Sequence, residues 1–181
     1  MRIGMLGPLE IRLDDGGSIE VPGARLRALL IALALEPGRV VAKTTLVDWI
    51  WGAQPPSDAA NALQALVSRL RRVLPDGLLD AQAGGYRLTV QPGAVDAVRF
   101  EQLLDQARGG ADAGQAGLLR EAVDLWRGAP MQDIGIQDSE AFDAVVTRLE
   151  GLRLAAMEDL YEAEIRLGRG QELVAELTEL V

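Results

Sequence analysis

The chain of 181 residues contains no cysteine and no histidine. Those two absences exclude thiol nucleophiles, disulfides, zinc fingers and Ser-His-Asp triads. A carboxylate-only Mg²⁺ or Ca²⁺ site stays open, but no EF-hand-like spacing occurs and no cofactor is expected. Lack of cysteine also fits a reducing compartment. Long apolar runs are missing too. The longest, Ala28 to Leu35, has 8 residues, far short of the ~20 needed to span a bilayer. Pro8 and Glu10 interrupt the apolar N-terminal stretch, which leaves no signal-peptide core, so a cytoplasmic protein is expected. Lysine is almost absent: Lys43 is the single one among 18 basic residues.

What is present suits a globular protein. Apolar residues make up 49% and charged residues 25% of the chain, enough for a real core within an ordinary charge content. The formal net charge of −9 looks wrong for a partner of nucleic acid, yet it is unevenly spread. Residues 1–93 carry 10 basic and 9 acidic side chains, a net of +1. Residues 94–181 carry 8 basic and 18 acidic ones, a net of −10. The acidity belongs to the second half, and the first half is free to present a local basic face.

Strand, turn and helix signals divide the chain in the same place. Arg2–Leu6 and Leu9–Leu13 read as short strands around Gly7-Pro8. Asp14-Asp15-Gly16-Gly17 reads as a hairpin turn into a third strand, Ser18–Val21. Ala24–Leu35 reads as a mostly apolar helix stopped by Pro37-Gly38. Thr44 or Thr45 is expected to cap a short second helix through Trp49-Ile50-Trp51, closed by Gly52. Ser57 or Asp58 caps a third helix running to Leu74, just before Pro75; its 18 residues span roughly 27 Å. Leu78–Ala81 and Tyr86–Val90 form a hairpin around Gly84-Gly85. After Gln91-Pro92-Gly93 only helical periodicity remains: Ala97–Arg108, Gln115–Trp126, Ser139–Leu167 and Gln171–Leu180. The expected domains are therefore 1–93 and 94–181, an α+β unit followed by an all-α unit.

The third helix carries the functional signal. At 100° per residue, Leu63, Leu66, Val67, Leu70, Val73 and Leu74 gather on one face. Asn61, Gln64, Ala65, Ser68, Arg69, Arg71 and Arg72 occupy the rest, with no acid after Asp58. Arg pairs with guanine and phosphate, Asn and Gln with adenine, Ser with base or phosphate, and Ala65 fits against a thymine methyl. A solvated face of an ordinary amphipathic helix has the same periodicity. The Gly-tipped hairpin that follows favours DNA, because helix then hairpin is the winged-helix order. Gly84, Gly85 and Arg87 then sit at the wing tip near phosphates. Arg25 and Arg27 open the first helix as phosphate contacts or as plain exposed charges. Lys43 and Thr44 offer a cation and backbone N–H groups for a phosphate clamp, although capping explains Thr44 equally well. Trp49 and Trp51 belong to the core rather than to base stacking.

Several stretches resemble a known group. Leu6-Gly7-Pro8-Leu9-Glu10-Ile11, Leu46 to Gly52, Asn61 to Arg72 and Gly84-Gly85-Tyr86-Arg87-Leu88 are similar to the SARP family of antibiotic regulatory proteins. So are Val95 to Glu101, Ala122 to Gly128 and the helix around Arg148-Leu149-Glu150, so the resemblance covers essentially the whole chain. It implies an OmpR-like winged helix-turn-helix with an N-terminal sheet, a recognition helix at Ser57–Leu74 and a C-terminal wing. It also implies a tetratricopeptide-like bacterial transcriptional activator domain, two copies side by side on direct repeats of double-stranded DNA, and recruitment of RNA polymerase. Two departures stand out. The chain stops at Val181, inside what the family makes another helix pair, so part of a longer protein is expected. No receiver domain with a phosphorylatable Asp is visible.

The second half is read with an acidic outer surface (Glu158, Asp159, Glu162, Glu164, Glu172, Glu176), fit for a basic protein partner or simply for solvent. Gly168-Arg169-Gly170 reads as a helix–helix turn. Too few repeats are present for independent stability, so this half is expected to lean on the first for burial. One competing function is a protein-interaction or sensory module built on a degenerate winged helix. An enzyme is disfavoured: Asp14-Asp15 lies in a surface turn, and no base or nucleophile constellation accompanies it.

Overall fold

A computed structural model describes residues 1–109, 112–135 and 139–169. The expected helix Gln171–Leu180, with Glu172 and Glu176, and Gly170 of the expected turn lie outside these residues.

The chain begins with an antiparallel pair, β1 (Arg2–Gly4) and β2 (Glu10–Arg12), with Ile3 opposite Ile11. Both isoleucines point inward. The expected third strand is reduced to a single bridge between Arg12 and Ser18. Pro22-Gly23 follows Val21 too soon for a ladder to extend.

Three helices and a second sheet follow. Helix α1 (Ala24–Ala34) buries eight of its eleven residues, from Leu26 to Ala34, as an apolar sequence all round requires. Strand β3 (Val40–Ala42) leads directly into α2 (Lys43–Trp51). The expected Thr44 or Thr45 cap is not used: Ala42 occupies the cap position with no side-chain hydrogen bond, because the chain enters α2 straight from an extended strand. Helix α3 (Ala59–Val73) starts with Asp58 Oδ1 accepting the Asn61 N–H at 3.0 Å, a normal N-cap. It ends at Leu74, which is extended as a residue before proline prefers to be.

Strands β4 (Leu79–Gln82) and β5 (Gly85–Leu88) make the hairpin. The sheet order is β3-β5-β4, all antiparallel. Gly85 is therefore not at the tip. It pairs with Ala42 inside the sheet, where a Cβ would collide with the Val41 carbonyl oxygen. The exposed tip is Ala83-Gly84.

A 3₁₀ turn (Pro92–Ala94) delivers the chain to α4 (Asp96–Ala107), α5 (Asp112–Asp124) and α6 (Glu140–Arg166). Phe100, Leu103, Leu119, Ala122, Leu149, Ala156 and Leu160 form their common interior. That interior runs without a break into the buried residues of the first half. Among the described residues no helix is long and apolar enough to cross a membrane.

The β1–β2 hairpin explains the continuity. Ile3 bridges Val95 in parallel. The Met5 N–H donates to both carboxylate oxygens of Asp96, at 2.8 and 2.9 Å, and the Leu6 N–H to one of them at 3.1 Å. From the loop after α5, the Arg127 N–H donates to the Leu6 carbonyl at 2.7 Å. The Met131 N–H is shared between the carbonyls of Met5 (2.9 Å) and Gly7 (2.8 Å). The Arg127 guanidinium then bridges Asp96, Glu10 and the Pro8 carbonyl at 3.2–3.3 Å, and its end lies where a Cβ at Gly4 would point. The second half thus leans on the first through the N-terminal sheet.

A second junction lies at the start of α6. The Ser139 hydroxyl accepts from the Phe142 N–H as a helix cap at 3.3 Å and donates to the Trp49 carbonyl of α2 at 3.0 Å. Phe142 meets the Trp49 indole edge to face, centroids 6.2 Å apart. Trp49 and Trp51 are both core residues.

Glu164 corrects the picture of an acidic exterior. It is 1% exposed, gripped by Arg120 at 2.9 Å and Arg169 at 3.2 Å. Glu158, Asp159 and Glu162 are exposed as expected. Gly168, at φ 79°, turns the chain away from α6.

Two outcomes are expected. Asp96→Ala leaves two buried N–H groups without an acceptor and costs about 2–4 kcal/mol in urea unfolding; a loss under about 1 kcal/mol contradicts the clasp. The Arg120 guanidinium holds the Glu164 carboxyl below its ordinary value of 4.5, with Arg169 assisting. A depressed acid stabilises the fold above its ordinary value and loses that contribution as pH falls toward the lowered one. Glu164→Gln is therefore less stable than the parent at pH 7, and the gap narrows below about pH 4.5. Melting temperatures across pH 3–7 measure it, and a gap independent of pH refutes it.

Candidate nucleic-acid interface

Helix α3 is seated by its apolar stripe. Leu63, Leu66, Val67 and Leu70 are buried against α1 and α2. Its opposite face therefore has to look outward, and Asn61, Gln64, Ala65, Ser68, Arg69 and Arg72 are all exposed. No carboxylate lies on the helix between Asp58 and Val73. Among the described residues Arg69 and Arg72 have no ion-pair or hydrogen-bond partner. The last turn carries Arg71 and Arg72, where cations also suit the helix dipole.

Arg71 differs from its neighbours. Its Nε donates to the Leu79 carbonyl at 3.1 Å. That bond ties the end of α3 to the first strand of the hairpin.

Two further cationic positions are open to solvent. Arg25, at the start of α1, is exposed, and so are Lys43 and Thr44 at the start of α2. Lys43 Nζ stands 5.9 Å from the centre of the Tyr86 ring, a distance at which the ring holds the ammonium near the sheet. The Lys43 N–H is already given to the Gly84 carbonyl at 3.1 Å, so the ammonium and the Thr44 hydroxyl remain as the outward groups. Arg27 has left this set. Its guanidinium donates to the Val21 carbonyl at 2.9 Å and the Asp133 carbonyl at 2.7 Å, as another latch between the halves.

The wing is electrostatically quieter than its sequence suggests. Arg87 faces Asp80 across the β4–β5 ladder and pairs with it at 2.8 Å. Arg87 in turn lowers the Asp80 pKa, assisted by a bond from Thr89. Asp80 was the residue that the sequence reading missed. Its signal is the cross-strand register, which places opposite charges face to face, and that register follows only once the turn is fixed at Ala83-Gly84.

Of the expected residues, Arg25 of α1 and Ala65 and Arg69 of α3 line one groove, and the remaining outward residues of α3 and the start of α2 are open to solvent. Gly85 pairs inside the sheet, and Arg71 and Arg87 each spend a guanidinium bond inside the first half, on Leu79 and Asp80.

The comparisons with known proteins agree with this architecture. Residues 22–88 match the family described as transcriptional regulatory protein, C terminal, and residues 95–181 match the bacterial transcriptional activator domain. Regulatory protein DnrI of Streptomyces peucetius is 34% identical over 99% of this chain and 71% of its own length. Transcriptional regulator RedD of Streptomyces coelicolor is 35% identical over the whole chain, which spans 54% of that protein. Regulatory protein AfsR of the same organism is 36% identical, and the chain spans 18% of it. A solved structure, Mycobacterium tuberculosis EmbR in complex with a low affinity phosphopeptide, superimposes with a TM-score of 0.84 at 30% identity. It covers 99% of this chain, and the chain spans 49% of it. An OmpR-type winged helix and a bacterial transcriptional activator domain, aligned end to end with such regulators, leave one assignment: the chain belongs to the SARP family of transcription regulators.

Proposed function

We propose that this chain reads duplex DNA with α3 in the major groove, as two copies side by side on direct repeats. The contacts to DNA lie in residues 1–93, and residues 94–181 present the exposed acidic helix surface to RNA polymerase subunits. It acts in the cytoplasm and has no catalytic chemistry of its own.

The observation that carries the reading is the outward face of α3. Six side chains suited to bases and phosphates stand exposed there, with two arginines unpaired and no carboxylate beside them. An exposed guanidinium without a partner is ready to displace the counterions condensed on a DNA phosphate or to pair with a guanine edge. Gln64, Ser68, Asn61 and Ala65 supply base readout; Arg69 and Arg72 reach guanine or backbone. Lys43, Thr44 and Arg25 hold phosphates on either side. A degenerate winged helix used only for protein contact has no need of this acid-free face.

Selection from random duplex DNA, followed by anisotropy at two salt concentrations, tests the function. A recovered direct repeat with binding that falls steeply with salt supports it; no enrichment at low salt sinks it. On the recovered site, Arg72→Ala or Gln64→Ala is expected to cost about 1–3 kcal/mol and to relax specificity at one base pair. Binding unchanged in both variants would mean that the wrong face of α3 was assigned.

Asp80→Asn is expected to act in the opposite direction. It releases Arg87 from its ion pair, so all sequences bind more tightly and the salt slope steepens by about one. Weaker binding to every sequence would show that the pair shapes the wing rather than withholding a cation.

A further inference from the structure

A groove of about 780 Å³ runs along the flank of α3, beside its outward face. Leu26 of α1, Trp51 of α2, Pro56 of the α2–α3 loop and Leu66 of α3 wall it, and Arg25 and Arg69 stand on it. Among the described residues no aspartate or glutamate lines it. Among the described residues neither arginine has an ion-pair or hydrogen-bond partner. The volume is that of a small-molecule site. An apolar wall beside two uncompensated guanidinium groups selects by chemistry. A hydrated phosphate gains nothing from Trp51 and Leu66, and a neutral apolar body leaves both cations unused. A small molecule with a flat apolar body and one carboxylate or sulfonate satisfies both, since a guanidinium binds such an anion through paired hydrogen bonds.

We propose that this groove binds a small aromatic or alicyclic anion, its charged group held by Arg25 and Arg69 and its apolar body against Trp51 and Leu66. Ala65 and Arg69 belong both to the groove and to the face assigned to DNA. Occupancy therefore excludes DNA, and DNA excludes the ligand to the same degree. This competition rests on the DNA-binding reading; the binding of the anion does not.

The probe is 8-anilinonaphthalene-1-sulfonate, titrated by fluorescence into the full chain without DNA. One saturable site is expected. Its affinity falls roughly tenfold in Arg25→Ala and again in Arg69→Ala, and also in Gln54→Glu, which puts a carboxylate at the groove wall. Circular dichroism confirms that each variant keeps its helices. The neutral analogue N-phenyl-1-naphthylamine binds at least about tenfold more weakly. Non-saturating fluorescence, equal binding of the neutral probe, or indifference to all three substitutions overturns the site. Selected duplex DNA should displace the bound probe; simultaneous binding overturns the competition. If the probe binds as described while no DNA sequence is enriched, the DNA reading falls and the groove stands. If DNA is selected and the probe fails, the groove alone falls.

Discussion

One carboxylate ties the N-terminal hairpin to the helical half. Asp96 opens α4 and accepts the backbone N–H groups of Met5 and Leu6, both wholly buried. Without it those donors face an apolar interior, and a buried unpaired N–H costs as much as a good hydrogen bond contributes. Arg127 then closes over Asp96 and Glu10. The result is a hairpin that belongs to the first half by sequence and to the second half by its bonds. The described helices α4, α5 and α6 share their interior with the first half, and this hairpin is one of the places where they meet it.

The second constraint is the seating of α2. The Trp49 carbonyl accepts the Ser139 hydroxyl, and Phe142 packs on its indole. Helix α2 therefore carries α3 on one side and the start of α6 on another. The position of the exposed arginines of α3 is set partly by residues far from them in sequence. Arg71, reaching Leu79, closes the same circle through the wing.

Much of this was legible in the sequence, and the exceptions have physical causes. Helix α3 announced itself through a long apolar period, a Ser57 or Asp58 cap and a proline stop, each a local signal. Strand β3 did not, since three residues with one buried side chain have no period to detect. Gly85 read as a wing tip because a glycine pair looks alike on either side of a turn; only the register with Ala42 separates the tip from the ladder. Glu164 read as exterior because its neighbours along α6 are exterior, and its burial is decided by Arg120, 44 residues away. The exposed residues of α3 needed no long-range information, so the candidate interface was read more fully than the contacts that hold it in place.

The hairpin bonds have a bearing on how such proteins are recombined. Exchange of residues 94–181 for a relative's helical half keeps the polypeptide order intact but parts Asp96, Arg127 and Met131 from Met5, Leu6 and Gly7. The unit that carries the whole clasp is discontinuous: the first dozen or so residues move with the helices, and the contacts left to be re-formed are those of Arg27 with Asp133 and of Trp49 with Ser139 and Phe142. A chimera cut at the obvious seam keeps the clasp only where the incoming helical half brings its own acceptor for the Met5 and Leu6 N–H groups.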